Sequence, residues 1–202
     1  MMHFAQLLRR ELNPVIAAIV SAVVLIGTLG VMIQGRAAIL QNGAEIILKT
    51  SPVDPRDLMR GDYVRLAYED ISVVDGSLFK GDWPEKTGFA PVWLTLETGE
   101  DGLAVPTAVT HEKPEPANPK AVYLKSKPVE LSGAERSSAK NVSVSLRFGI
   151  ERYYVPEGEG LEIEAARNAQ RTTVAVRVSK DGEAQIARLM IDGEPLYQEP
   201  LY

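Results

Sequence analysis

The sequence predicts a mainly β domain, a barrel-like or sandwich arrangement of short strands with one short helix, behind a single N-terminal transmembrane helix. Three observations carry this. Residues 15–33 form an apolar run with no charge in it. From residue 45 onward, β-branched and aromatic residues recur with period two, the pattern of half-buried strands. Turn-forming pairs separate those segments: Asp75-Gly76, Thr98-Gly99, Asp101-Gly102, Asp181-Gly182 and Asp192-Gly193. A chain of 202 residues allows one compact domain with an appendage.

The order of elements follows. Residues 1–13 are a short tail carrying Arg9 and Arg10. Residues 14–34 are the anchor: Pro14 suits a first helical turn, and the 19 residues 15–33 span about 28 Å at about 1.5 Å each, close to the hydrocarbon thickness. The run is longer than a signal-peptide core, and Gln34-Gly35-Arg36-Ala37-Ala38 fits a cleavage site poorly. A buried core helix would carry a polar face, and this one carries none. Two basic residues before the span and two after it, Arg36 and Lys49, leave the positive-inside count even. The short basic tail and long acidic domain favour a cytoplasmic N-terminus and an extracytoplasmic domain. Residues 35–43 are a connector that extends the helix and stops near Asn42-Gly43.

The β-rich domain, residues 44–202, begins with a strand at 45–49 (EIILK). Residues 63–68 are the next, with Val64, Leu66 and Tyr68 opposite Tyr63, Arg65 and Ala67. Strands follow at 91–96, 121–125, 142–148, 152–155, 172–178 and 184–191. Asp181-Gly182 between the last two makes residues 172–191 a β-hairpin. A helix fits residues 160–170, with acidic residues in its first turn. Residues 76–88 and the proline-rich 111–120 read as loops.

Composition removes several functions. Net charge is −5, and residues 43–202 hold 19 basic against 26 acidic residues, which argues against a nucleic-acid partner. Without cysteine there is no disulfide, thiolate nucleophile or cysteine zinc site. The two histidines are His3, in the tail, and His111, in a loop where a solvated side chain is expected, so no cofactor or metal site and no Ser-His-Asp triad is predicted.

Two blocks stand out. The first is Gly61-Asp62-Tyr63-Val64-Arg65-Leu66-Ala67-Tyr68, led in by Pro52-Val53-Asp54-Pro55-Arg56-Asp57-Leu58. The second is Phe148-Gly149-Ile150-Glu151-Arg152-Tyr153-Tyr154-Val155-Pro156-Glu157-Gly158. Together they resemble the GDYXXLXY family of bacterial proteins, whose signature is complete here at every fixed position, and the resemblance runs from about residue 46 to 193. It implies a membrane-anchored protein and carries no reaction with it. Neighbouring genes in the family often encode a multi-pass membrane protein, so the resemblance implies an envelope complex with such a partner.

The first block also reads as scaffolding, because Asp54-Pro55 and Gly61-Asp62 are turn formers and Tyr63 and Tyr68 are strand aromatics with hydroxyls at the surface. As a contact surface, its candidates are Arg56, Asp57, Arg60, Asp62, Tyr63 and Tyr68, joined from the second block by Glu151, Arg152, Tyr154 and Glu157. A carboxylate-dependent hydrolase would use Asp57, Asp62, Glu151 and Glu157. A likeness to the Ser-Met-x-Pro box of membrane-anchored signal peptidases fails at the nucleophile, since Pro52 stands where serine is needed and no lysine base lies in a comparable strand. Binding to a membrane-protein partner is the leading expectation, with no catalytic residue assigned.

Overall fold

A computed structural model of the chain describes residues 13–52, 63–81, 83, 88–116, 118–131, 143–156 and 159–200. The expected contact residues Arg56, Asp57, Arg60, Asp62 and Glu157 lie outside the described residues, as does most of the basic tail. The chain divides into two units, Met1–Ala37 and Ala38–Tyr202.

Helix α1 runs without a break over Pro14–Asn42. Its start is capped by Asn13, whose side-chain oxygen accepts the Val15 N–H at 3.0 Å, with Pro14 in the first turn. The large apolar side chains from Val15 to Ile33 are all exposed, on every face of the helix. Thr28 satisfies its hydroxyl inside the helix by donating to the Val24 carbonyl at 2.8 Å. The helix is long and apolar enough to cross a membrane. It continues through the expected connector and ends where Gly43 donates its N–H to the Ile39 carbonyl at 2.8 Å.

The second unit is mainly β. Strands β1 (Ala44–Ser51), β12 (Thr172–Val178), β13 (Ala184–Ile191) and β14 (Glu194–Gln198) pair antiparallel with β3 (Ala67–Tyr68) in a five-stranded sheet of order β14-β13-β12-β1-β3. Strands β7 (Ala104–Thr110), β6 (Trp93–Thr98) and β8 (Val122–Lys125) form a second sheet in that order. Three two-stranded ribbons complete the described strands. They join β2 (Tyr63–Arg65) to β11 (Arg152–Tyr154), β4 (Val73–Asp75) to β10 (Ser143–Ser145), and β5 (Gly88–Ala90) to β9 (Val129–Leu131). Among the described residues the sheets keep open edges and do not close into a barrel.

Alternation makes one apolar core. Ile46 and Leu48 of β1 meet Val174, Val176 and Val178 of β12 and Leu189 of β13, with Leu94, Leu96 and Leu124 of the second sheet in the same cluster. The bulge that shifts register between Ala175 and Val176 lets both face inward at 0% exposure. Val64, Val74, Val144 and Tyr153 bring the ribbons into this core, and Ile163 does so for α2 (Gly160–Asn168). Helix α2 carries Glu162 in its first turn and Arg167 in its last, as the helix dipole favours.

The Asp181-Gly182 turn forms the expected hairpin: Ser179 donates to the Glu183 carbonyl at 2.8 Å and Gly182 to the Ser179 carbonyl at 3.0 Å. Gly182 has φ +79°, and a Cβ there would fall 2.6 Å from the Trp93 ring and 2.9 Å from the Lys125 nitrogen. Its carbonyl accepts the Lys125 N–H at 3.0 Å, so the hairpin tip docks on the second sheet.

Elsewhere the strands depart from the period-two reading. The run 63–68 is cut at Leu66, because its first half pairs with β11 and its second half with β1. Strands β7 and β14 were not expected; they contain Pro106 and Pro195 and are sheet edges, where a missing N–H is tolerated. Strand β10 stops at Ser145, short of the left-handed Gly149 at φ +86°. His111 lies in a turn as expected, but its ring packs 5.7 Å from Trp83 and it is half-buried.

Candidate functional site: the ribbon of the two sequence blocks

The two blocks pair directly. Arg152 stands opposite Arg65, Tyr153 opposite Val64, and Tyr154 opposite Tyr63 in the antiparallel β2–β11 ribbon. Opposed residues share a face, so Val64 and Tyr153 point into the core, at 1% and 6% exposure, while the tyrosine and arginine pairs share the outer face. On that face Arg65, Arg152 and Tyr154 are exposed and Tyr63 is half-buried. The Tyr63 and Tyr154 rings lie 5.9 Å apart at 53°, and the Arg152 guanidinium sits 5.5 Å from the Tyr63 ring centre, in cation–π range.

Three side chains fasten the ribbon from beneath or beside it. Tyr68 is the first, and it corrects an expectation: its hydroxyl is not at the surface. The side chain is 2% exposed and donates to the Ile150 carbonyl at 2.6 Å, tying the last signature residue to the second block. Alternation puts it on the inward side with Val64 and Leu66, and the Ile150 carbonyl receives its hydroxyl there; past Leu66 the chain joins the five-stranded sheet, with Tyr68 opposite Thr50. Tyr68 is therefore absent from the ribbon's outer face. Burial, with the charge of Glu151 adding to it, pushes its phenol well above the usual tyrosine range.

Glu151 is the second fastener. Its carboxylate accepts the Phe148 N–H and, at 3.0 Å, the Gly149 N–H, while its own carbonyl accepts the Leu66 N–H at 2.9 Å. A carboxylate holding two backbone donors closes the turn into β11. The third is Arg167, which the sequence did not single out. It is 1% exposed, and its guanidinium donates to the Arg65 carbonyl at 2.6 Å and to the Asn168 side chain at 3.0 Å. Burial lowers its pKa, while Glu164 opposes that shift. In the sequence it resembles an ordinary basic residue of a last helical turn, so no local signal marks it. Arg65 did have a signal, its place on the same strand face as Tyr63.

Among the described residues no group of three or more His, Cys, Asp or Glu side chains could hold a metal ion. The ribbon's outer face presents two guanidiniums and two phenols, with Val64 and Tyr153 buried behind them.

Residues 25–189 match the model of the family described as GDYXXLXY protein. No curated protein and no solved structure matches the chain. The match covers most of the sequence, including both blocks that build the ribbon, and the chain belongs to the GDYXXLXY family.

Proposed function

We propose that this chain is a single-span membrane protein whose β-rich module works by binding, with a membrane-protein partner of the cell envelope as its target. In this reading residues 15–33 of α1 lie in the bilayer, the N-terminus is cytoplasmic, and the module stands outside. The observation that supports binding is the ribbon's outer face, where Tyr154 is 72% exposed beside Tyr63, Arg65 and Arg152. Exposed aromatic and arginine side chains on a fixed strand pair are the groups that dominate protein interfaces. The support for the bilayer is the apolar surface of α1 on all faces.

Two measurements test the reading. A reporter enzyme active only outside the cytoplasm, fused after residue 202, is expected to be active; activity of a cytoplasm-only reporter instead would reverse the topology. Pull-down of the full chain from crosslinked membranes is expected to recover one partner reproducibly and to lose it in the double variant Tyr63→Ser, Tyr154→Ser. Recovery indifferent to those changes would remove the ribbon from the reading.

A further inference from the structure

The ribbon's outer face presents two guanidiniums, Arg65 and Arg152, in a domain that is acidic as a whole. Arg65 and Arg152 stand directly across from each other, an arrangement that is destabilising for like charges. Arginines of the five-stranded sheet are matched: Arg177 and Arg188 both pair with Glu45, and Arg171, beside the sheet, pairs with Asp192 at 2.6 Å. Neither Arg65 nor Arg152 forms such an ion pair among the described residues. The carboxylate nearest in sequence, Glu151, is committed to the Phe148 and Gly149 N–H groups. A carboxylate lodged between Arg65 and Arg152 would convert the repulsion into two charge-assisted hydrogen bonds.

The tyrosine pair sits two residues along the strands from the arginine pair, on the same face, a step of about 6.8 Å. An extended peptide repeats its same-side side chains at that interval. A lipid headgroup could satisfy the arginines, but it has no second group at that repeat for the tyrosines. Resting on the binding role above, we propose that the outer face of β2–β11 is a docking strip for an extended acidic segment of a partner protein. The segment's carboxylate lies between Arg65 and Arg152, and an apolar side chain two positions along lies on Tyr63 and Tyr154.

The experiment uses the full chain in its native membrane, with a photoreactive group introduced as Tyr154→benzoylphenylalanine and, as a remote control, Phe89→benzoylphenylalanine. Phe89 is 74% exposed on β5. The expected adduct at position 154 maps to a protein segment with Asp or Glu within two or three residues of the crosslink. Its yield should fall roughly tenfold when Arg65→Gln and Arg152→Gln are added, with thermal unfolding unchanged, and fall again on raising salt from about 50 to about 500 mM. A synthetic peptide of the mapped segment should bind the full chain, and its Asp→Asn or Glu→Gln version should bind roughly tenfold more weakly. An adduct on lipid alone, on a segment without acidic residues, or with a yield indifferent to the two glutamines would overturn the proposal. Adducts at 89 without any at 154 would overturn the strip and leave a binding role elsewhere on the module. Their absence at both positions, together with an empty pull-down, would remove the binding role as well.

Discussion

The five-stranded sheet and the β2–β11 ribbon stabilise themselves in different ways. In the sheet, β1, β12 and β13 run seven or eight residues each in long ladders with one bulge, and Val174, Val176 and Leu189 are fully buried between them. The ribbon has three residues in each strand, and its surroundings are specified by side chains bonding to remote backbone: Tyr68 to Ile150, Arg167 to Arg65, and Glu151 to its own turn. Packing area holds the first and a few directional bonds hold the second. The difference bears on the signature at Tyr68, since a directional bond tolerates fewer substitutes than an apolar contact does.

Breaking each region separately tests this contrast. Leu189→Ala should cost about 4 kcal/mol through lost burial and the cavity left behind, read as a lower denaturation midpoint of the full chain. Arg167→Met keeps the volume but strips the Arg65 carbonyl of its donor, and should cost about 3 kcal/mol. Hydrogen exchange would then rise in residues 63–66 and 151–154 while β12 and β13 keep their protection. Equal loss in both regions would erase the distinction. Tyr68→Phe removes one buried hydrogen bond and should cost about 1.5 kcal/mol.

Alkaline pH probes the same tyrosine. Burial raises the folded-state pKa of Tyr68, and that of Tyr153 together with Glu199, above the ordinary phenol value. The unfolded chain therefore releases these protons first. Their contribution is intact below about pH 10 and is lost above it, at about 1.4 kcal/mol per pH unit for each tyrosine. Tyr68→Phe should halve that part of the slope, and an unchanged slope would deny the burial. The smallest effect is expected on the outer face: Arg65→Gln with Arg152→Gln should alter stability by less than about 0.5 kcal/mol, in thermal unfolding, while weakening partner capture.

What could be read in advance follows the range of the interactions. The hairpin at Asp181-Gly182, helix α2 with its acidic first turn, and the apolar helix α1 are specified by neighbours in the chain, and all three form. The alternation that put Val64, Leu66 and Tyr68 on one side also holds, since all three are buried. The surface hydroxyl expected of Tyr68 failed because the Ile150 carbonyl receives it inside, and no local pattern announces a partner 82 positions away. Strands β4, β5 and β9 are three residues long, too short for a period to be seen. The two blocks entered one candidate surface, but the residue that braces their pairing, Arg167, reaches β2 from 102 positions away.

Gly182 carries a further consequence, which concerns the order of folding. Its turn can close from local contacts alone, on the microsecond scale of hairpin formation, before distant segments meet. The same glycine later has to fit against Trp93 and Lys125, where there is no room for a Cβ. One residue thus serves an early step and a late one, and Gly182→Ala burdens both: its φ of +79° strains the turn, and its Cβ meets Trp93 and Lys125. The clash falls on the docking step alone, so β6 and β8 should gain protection later than β12 and β13, visible by pulsed hydrogen exchange during refolding. The hairpin is then a preassembled template on which the second sheet arrives, and Gly182 is the point where assembly can stall.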